Sequence, residues 1–181
     1  MPTIVVVDYD PIWPEIFQQL RAYVRPVLAE VALTVEHVGS TSVPGLAAKP
    51  IIDMSVIVAS KGQVPLAVER LATLGYVHLG NMGIEGREAF KRPAELPAHH
   101  LYVCPQGSLG LQNQLAVRDY LRSHPETAQA YADLKKRLAR EFPYDIDSYV
   151  EGKTNLILGI LQEQGLSAEQ LQAIEQANRK K

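Results

Sequence analysis

Apolar positions follow two rhythms along this chain. Up to about residue 107, short apolar runs alternate with helical stripes; beyond it the stripes are helical alone. Ile4-Val5-Val6-Val7 predicts a strand over residues 3–8. Asp10-Pro11 predicts an N-cap followed by proline at the first helical position. Ile16, Phe17, Leu20, Val24, Val27 and Leu28 then recur at helical spacing to about residue 30, with Pro26 as an expected kink. Residues 34–38 and 50–58 predict two strands, and Leu66, Val68, Leu71 and Leu74 a helix over 65–74 that Gly75 ends. A strand starts at residues 76–79, a turn-rich stretch over 80–86 leads into 87–91, 93–97 is a loop, and 99–104 is a further strand. From Ser108 on, Leu109, Leu111, Leu115, Val117 and Leu121 mark a helix broken at His124-Pro125. Residues 126–142, with Tyr131, Leu134 and Leu138 inward, and 147–164 predict two more. Ser167 and Gln170 open a fourth with a capping box. Asn178-Arg179-Lys180-Lys181 is expected to fray. Strands and helices followed by helices alone predict an α/β (α+β) fold: a mixed-sheet core over residues 1–107, with a helical region over 108–181 packed on it as one unit.

A chain of 181 residues that is 46% hydrophobic can bury a core without disulfides or metal staples. The net charge of −2, from 18 basic and 20 acidic residues, argues against a nucleic-acid coat or a membrane-surface binder and leaves room for a local basic pocket. Cys104 is the single cysteine and follows Leu101-Tyr102-Val103, the setting of a buried, inert thiol. No signal-peptide pattern and no membrane-length apolar run is visible, so a cytoplasmic location is the expectation.

The segment from Val35 to Val58 carries the most chemistry. A strand leads into Gly39-Ser40-Thr41, a linker follows, and a second strand holds one carboxylate, Asp53, among Ile51, Ile52, Met54, Val56, Ile57 and Val58. A charge in such a run needs a metal ion or a basic group beside it. A Gly-Ser turn offers backbone N–H groups and a hydroxyl to a phosphate.

This arrangement, with 13 positions from Ser40 to Asp53, resembles the opening of the nucleotidyltransferase superfamily. The wording His37-Val-Gly-Ser-Thr-Ser-Val-Pro-Gly-Leu-Ala-Ala-Lys-Pro-Ile-Ile-Asp53 is similar to the GrpB family within it. Tyr9-Asp10-Pro11-Ile12-Trp13, Arg87 to Phe90, His100-Leu101-Tyr102-Val103-Cys104, and Arg118 to Arg122 resemble further blocks of that family in order. So do Tyr131 with Lys135 and Tyr149 with Lys153. The resemblance implies a nucleotidyltransferase-like fold, a nucleoside triphosphate or related phosphate ligand, magnesium, and transfer of a nucleotidyl group to an unidentified acceptor. Domains of this kind fused to dephospho-CoA kinases imply an alternative, a non-catalytic accessory domain for nucleotides or coenzyme A precursors. On that basis Gly39, Ser40, Thr41, Lys49, Arg87, Arg118 and Lys153 are expected to hold phosphate. Asp53 is expected to hold magnesium, and His100 to act as acid, base or phosphate ligand. The chain departs from the superfamily at Ser55, where a second carboxylate would stand, and at His100 and Tyr102, where a third would be sought.

Each of these residues has a plainer reading. Asp53 can be a structural carboxylate paired with Lys49, Ser40 a turn hydroxyl, and His37 either the orienter of that turn or a satisfied core histidine. Arg118 and Arg122 also suit a solvated helix face, with Asp119 pairing Arg122. His99 and His100 point to opposite faces of a strand, which opposes a zinc site. Gly152-Lys153-Thr154 has neither the preceding glycine nor the strand of a phosphate-binding loop, and Ser40 and Ser42 do not form a nucleophile elbow.

Overall fold

In the computed structural model, which describes residues 3–179, the chain lays down α1 (Trp13–Leu28), β1 (Ala32–Val38), a 3-10 turn (Ser40–Ser42) and β2 (Ile52–Val58). It continues through α2 (Val64–Ala72), β3 (Val77–Gly80), β4 (Glu88–Lys91) and β5 (His99–Pro105). Four helices close it: α3 (Leu109–Ser123), α4 (Pro125–Glu141), α5 (Ile146–Glu163) and α6 (Ala168–Asn178). The sheet order is β1-β2-β5-β4-β3; β2 and β5 are parallel, and the other neighbours antiparallel.

Alternation along β2 and β5 sorts the two faces. Ile52, Met54, Val56 and Val58 with Leu101 and Val103 form one face, and Trp13, Phe17, Leu20, Val24 and Leu28 of α1 cover it together with Ala67 and Leu71 of α2. Each of the large side chains in this layer contributes roughly 1.5–3 kcal/mol by burial. The other face carries Asp53, Ser55 and Ile57 beside His100, Tyr102 and Cys104. Its far end is apolar, where Ile57 and Cys104 pack on Leu111 of α3. Its near end is polar and lies under α4 and α5. The C-terminal helices are fixed there by the linker after the 3-10 turn: Val43, Leu46 and Ala47 pack among Tyr120, Leu121, Tyr131, Ala132 and Ile160.

Several expectations are corrected. Residues 3–8 join no strand; Val7 forms an isolated antiparallel bridge with Ala48, through two 2.9 Å hydrogen bonds. The segment is drawn instead to the helical half, where Ile4 donates to the Pro143 carbonyl and packs with Leu138 and Tyr149. Asp10 does not cap α1 itself. Its carboxylate accepts from Ile12 N–H at 3.0 Å, and Pro14, not Pro11, sits in the first turn. Pro26 is accommodated without ending the helix, two residues before Leu28. The capping box at Ser167 and Gln170 forms. At the chain end α6 runs to Asn178 and Arg179 bonds Glu175 at 2.6 Å, while Lys180 and Lys181 lie outside the described residues. Among the described residues no helix is long and apolar enough to cross a membrane.

Candidate functional site

The polar end of the second sheet face forms a cavity of about 310 Å³. Its walls are Ser40 and Thr41 from the turn, Lys49 and Asp53 from the linker and β2, Arg87, His100 and Tyr102 from the far side, and Lys135, Tyr149 and Lys153 from α4 and α5.

Asp53 owes its position to register. Val38, the last residue of β1, stands opposite Asp53, so the chain leaves the sheet directly beside the carboxylate. Gly39 makes that exit with φ +72°, and a Cβ there would collide with Asp53 Oδ2. Only glycine meets both demands. Gly39 therefore gives clearance to the carboxylate and is not itself part of the cavity wall. The turn is pinned from three sides. Ser42 Oγ donates to the Gly39 carbonyl at 2.5 Å. His37 Nε2 and Thr41 Oγ1 share a 2.9 Å hydrogen bond. Arg122 donates through Nε and Nη2 to the Ser42 carbonyl. His37 stacks on Phe17 at 4.6 Å, and burial pushes its pKa down to about 4, so it is a neutral orienter at pH 7.

Across the parallel β2–β5 pair Asp53 stands opposite His100, and Oδ1 accepts from His100 Nδ1 at 2.8 Å. The partner of Asp53 is thus His100, not Lys49. The bond fixes the imidazole tautomer and leaves Nε2 to accept a proton. His99, on the opposite face, is held by Tyr76 Oη at 2.8 Å and the Pro97 carbonyl at 2.7 Å, a structural role.

Four cations surround this one carboxylate. Lys135, only 2% exposed, bonds Ser40 Oγ at 2.7 Å and the Ala47 carbonyl, and has no carboxylate partner among the described residues. Burial, with help from the charges of Lys153 and Lys49, pushes its pKa from 10.5 down to about 7; Asp53 pulls the other way. Lys153 is pushed down to about 8, again chiefly by burial. Lys153 Nζ lies 4.5 Å and Lys49 Nζ 5.6 Å from the Tyr149 ring centroid, and neither makes a hydrogen bond or ion pair among the described residues. The guanidinium of Arg87 covers the Tyr102 ring at 4.5 Å. Its Nε is the one buried side-chain nitrogen or oxygen without a hydrogen-bond partner among the described residues.

Of the residues expected to hold phosphate, the structure brings together Ser40, Thr41, Lys49, Arg87 and Lys153. Arg118 is elsewhere: it bonds Glu36 at 2.8 Å, Asp119 at 2.8 Å and the His37 carbonyl at 3.1 Å. The ion pair of Asp119 is accordingly with Arg118, not Arg122. Lys135, Tyr102 and Tyr149 also line the cavity. Nothing in the sequence marks Tyr102 beyond sharing a strand face with His100. The spacing of Tyr131 with Lys135 and of Tyr149 with Lys153, one helical turn apart, makes those pairs candidates to hold phosphate. Lys135 and Lys153 each lie 4.5 Å from the ring one turn earlier. Gly152 helps to place them. A Cβ at Gly152 would meet Leu138 at 2.5 Å, so α5 crosses α4 closely, one turn beyond Lys135 and next to Lys153.

Magnesium prefers several oxygen ligands in near-octahedral array. Ser55, at the position of a second carboxylate, is wholly buried and donates to Gln114 Oε1 at 2.6 Å. Asp53 Oδ1 is engaged by His100, and Tyr102 lies beneath Arg87. No three His, Cys, Asp or Glu side chains converge as metal ligands among the described residues. This donor set does not fit a protein-held magnesium ion.

Residues 3–163 match the GrpB protein family. The chain belongs to the GrpB family. It is similar to protein YqkA of Bacillus subtilis, 38% identical over 152 residues, which cover 84% of this chain and 44% of that one. The chain thus spans less than half of that relative. The solved structure of the conserved protein GrpB from Enterococcus faecalis superimposes with a TM-score of 0.78 at 36% identity, covering 95% of this chain and 98% of the other. The Cid1 poly(U) polymerase with MgGTP bound matches at TM-score 0.51 and 15% identity, over 75% of this chain and 44% of Cid1. That likeness shows a nucleotidyltransferase-like fold. A dephospho-CoA kinase of Mycolicibacterium paratuberculosis is 27% identical over 173 residues, 82% of this chain and 42% of the kinase.

Proposed function

We propose that the cavity binds a nucleotide or related phosphate compound, and that this GrpB-family chain keeps the phosphate-holding half of a nucleotidyltransferase-like site. The observation that carries the reading is the gathering of Lys49, Arg87, Lys135 and Lys153 around the Ser40–Thr41 turn, with Asp53 as the one carboxylate in the wall. Lys135 is buried and the other three are half-buried. Cations drawn out of water without matching counter-ions are costly, and an anionic ligand supplies the missing charge. Ser40 adds a hydroxyl, and the buried Arg87 Nε an unused donor.

The Asp53–His100 pair supports a catalytic version. Asp53 holds the ring through Nδ1, so Nε2 takes the proton of an acceptor hydroxyl while its oxygen bonds to the α-phosphorus and the bond to the leaving diphosphate breaks. The cations neutralise charge on the departing oxygens. The second version is an accessory domain that binds without turnover, favoured by the tie between Ser55 and Gln114. The similarity to dephospho-CoA kinases makes coenzyme A precursors the next ligands to try.

Calorimetric titration with ATP, GTP, CTP, UTP and dephospho-CoA, with and without magnesium, tests this. Saturable binding to the wild type that weakens at least tenfold in Lys153→Gln is expected. Absence of binding for every one of these compounds refutes the reading. Given binding, turnover lost in His100→Gln supports the catalytic version, and no turnover with any acceptor supports the accessory one.

A further inference from the structure

Charge at the cavity is inverted relative to a metal-dependent phosphate site. A site that works through magnesium presents carboxylates to the ion, which then presents positive charge to the phosphates. Here the protein presents the positive charge itself. Lys49, Lys135, Lys153 and Arg87 face one carboxylate, Asp53, already bonded to His100. The positions from which further carboxylates would reach an ion are closed by particular contacts. Ser55 is tied to Gln114 under α3, and the ring of Tyr102 is capped by the Arg87 guanidinium. A magnesium ion brought in with the ligand would sit among three ammonium groups and a guanidinium, with like charges at close range. It would also remove from the ligand the negative charge those groups are arranged to meet.

We infer that the site takes a diphosphate-class anion in its uncomplexed form, so that magnesium competes with the protein for the ligand instead of bridging them. This inference rests on the phosphate-binding reading above and specifies the ionic state of its ligand. Three ammonium groups and a guanidinium against one carboxylate, with Lys135 only partly protonated near pH 7, leave about two to three positive charges that a diphosphate group complements. The cavity, about 310 Å³, lies at the lower end of ligand pockets and suits such a group with part of whatever carries it. Arg87 Nε contributes a buried donor that a phosphate oxygen would satisfy. The Tyr149 ring, approached by both Lys49 and Lys153, holds the two ammonium groups in place without neutralising them.

The test is calorimetric titration of the full chain with inorganic pyrophosphate and with ADP. Each is measured in EDTA and in magnesium well above the ligand concentration, for wild type, Asp53→Asn and Lys49→Gln. The expected result is binding in EDTA that weakens at least tenfold in magnesium, is kept or tightened in Asp53→Asn, and weakens at least fivefold in Lys49→Gln. The amide oxygen introduced by Asp53→Asn can still accept from His100, so that variant removes the charge with little change of shape. Binding that requires magnesium and disappears in Asp53→Asn overturns this inference and leaves the phosphate-binding reading standing. Failure of either ligand to bind in both conditions overturns the inference, and the reading falls too if the nucleotides and dephospho-CoA also fail.

Discussion

Replacing Lys135 with methionine separates the cost of a buried ammonium from its use. The side chain is 2% exposed, its ammonium is bonded to Ser40 Oγ and the Ala47 carbonyl, and its charged neighbours are Lys153, Lys49 and Asp53. Its pKa falls from 10.5 unfolded to about 7 folded. Between those values the unfolded chain holds a proton that the folded chain does not, so stability rises with pH across that window. Below pH 7 both states hold the proton and the full penalty applies, about 5 kcal/mol at 1.4 kcal/mol per pH unit of displacement. At pH 9 roughly 2 kcal/mol of it remains.

Methionine has similar length and no charge, so this penalty vanishes in the variant. Against it stand two lost hydrogen bonds, about 1 kcal/mol each, and the desolvation of Ser40 Oγ and the Ala47 carbonyl. The stability of Lys135→Met relative to wild type is therefore expected to be about 2–3 kcal/mol more favourable at pH 6 than at pH 9. Urea unfolding of both proteins at the two pH values measures it. A difference that is the same at both, or less favourable to the variant at pH 6, refutes the argument that the cavity holds an uncompensated ammonium. Pyrophosphate added at pH 7 should stabilise the wild type and leave the variant nearly unchanged.

Gly39→Ala combines a left-handed φ of +72° with a collision against Asp53 Oδ2, so thermal unfolding should show a loss of about 2–4 kcal/mol. A melting temperature equal to wild type would count against the close approach. Ser55→Asp puts a carboxylate where Ser55 is wholly buried against Gln114. It should cost about 3 kcal/mol or more, and magnesium should not restore the melting temperature; a magnesium-dependent recovery would reopen the metal site. Arg118→Ala removes contacts to Glu36, Asp119 and the His37 carbonyl and should lower stability by about 1–2 kcal/mol in urea. Its pyrophosphate affinity should stay within about twofold, and a tenfold loss would put Arg118 back in the site. His37 is neutral when folded down to about pH 4, while the unfolded imidazole charges below pH 6.5. Stability should fall over that window by up to about 3 kcal/mol more in wild type than in His37→Asn, and parallel acid profiles would refute it.

The sequence made the sheet legible because its signals are local. An Ile-Val-rich run after Pro50 defines β2, Leu101-Tyr102-Val103-Cys104 between Pro97 and Pro105 defines β5, and the helical stripe from Trp13 to Leu28 shows one buried face. The run Ile4-Val5-Val6-Val7 misled for the complementary reason. Its strand propensity is real, but tertiary context assigned its carbonyls and N–H groups to Ala48 and Pro143. The first half of the site was readable from a single segment, since the Gly39 turn and Asp53 are joined by one strand pairing. Lys135 falls on the inward stripe of Tyr131 and Leu138, whereas Lys136 beside it pairs with exposed Asp8. What the stripe alone does not show is that this inward position meets the Ser40 turn and the Ala47 carbonyl, contacts that join residues far apart in the chain. Arg118 failed in the opposite direction, since a basic residue in a family-like block looks functional until Glu36 is found across from it.

The departures from a carboxylate-rich site at Ser55 and Tyr102 are mutually dependent. A carboxylate in place of Ser55 would lie buried beside Gln114, without an ion to hold it. A carboxylate in place of Tyr102 would remove the ring that Arg87 covers and would neutralise that guanidinium. α3 covers Ser55 through Gln114, and α4 and α5 roof the rest of the polar end. A roof carrying Lys135 and Lys153 repels any divalent ion that one carboxylate could attract. Restoring one acidic residue at a time should therefore lower stability without recovering metal affinity, because each carboxylate needs the others and the absence of the lysines. The turn approaches Asp53 closely through Gly39, and the positive charge of the cavity wall is carried by side chains set against Tyr149 and Tyr131.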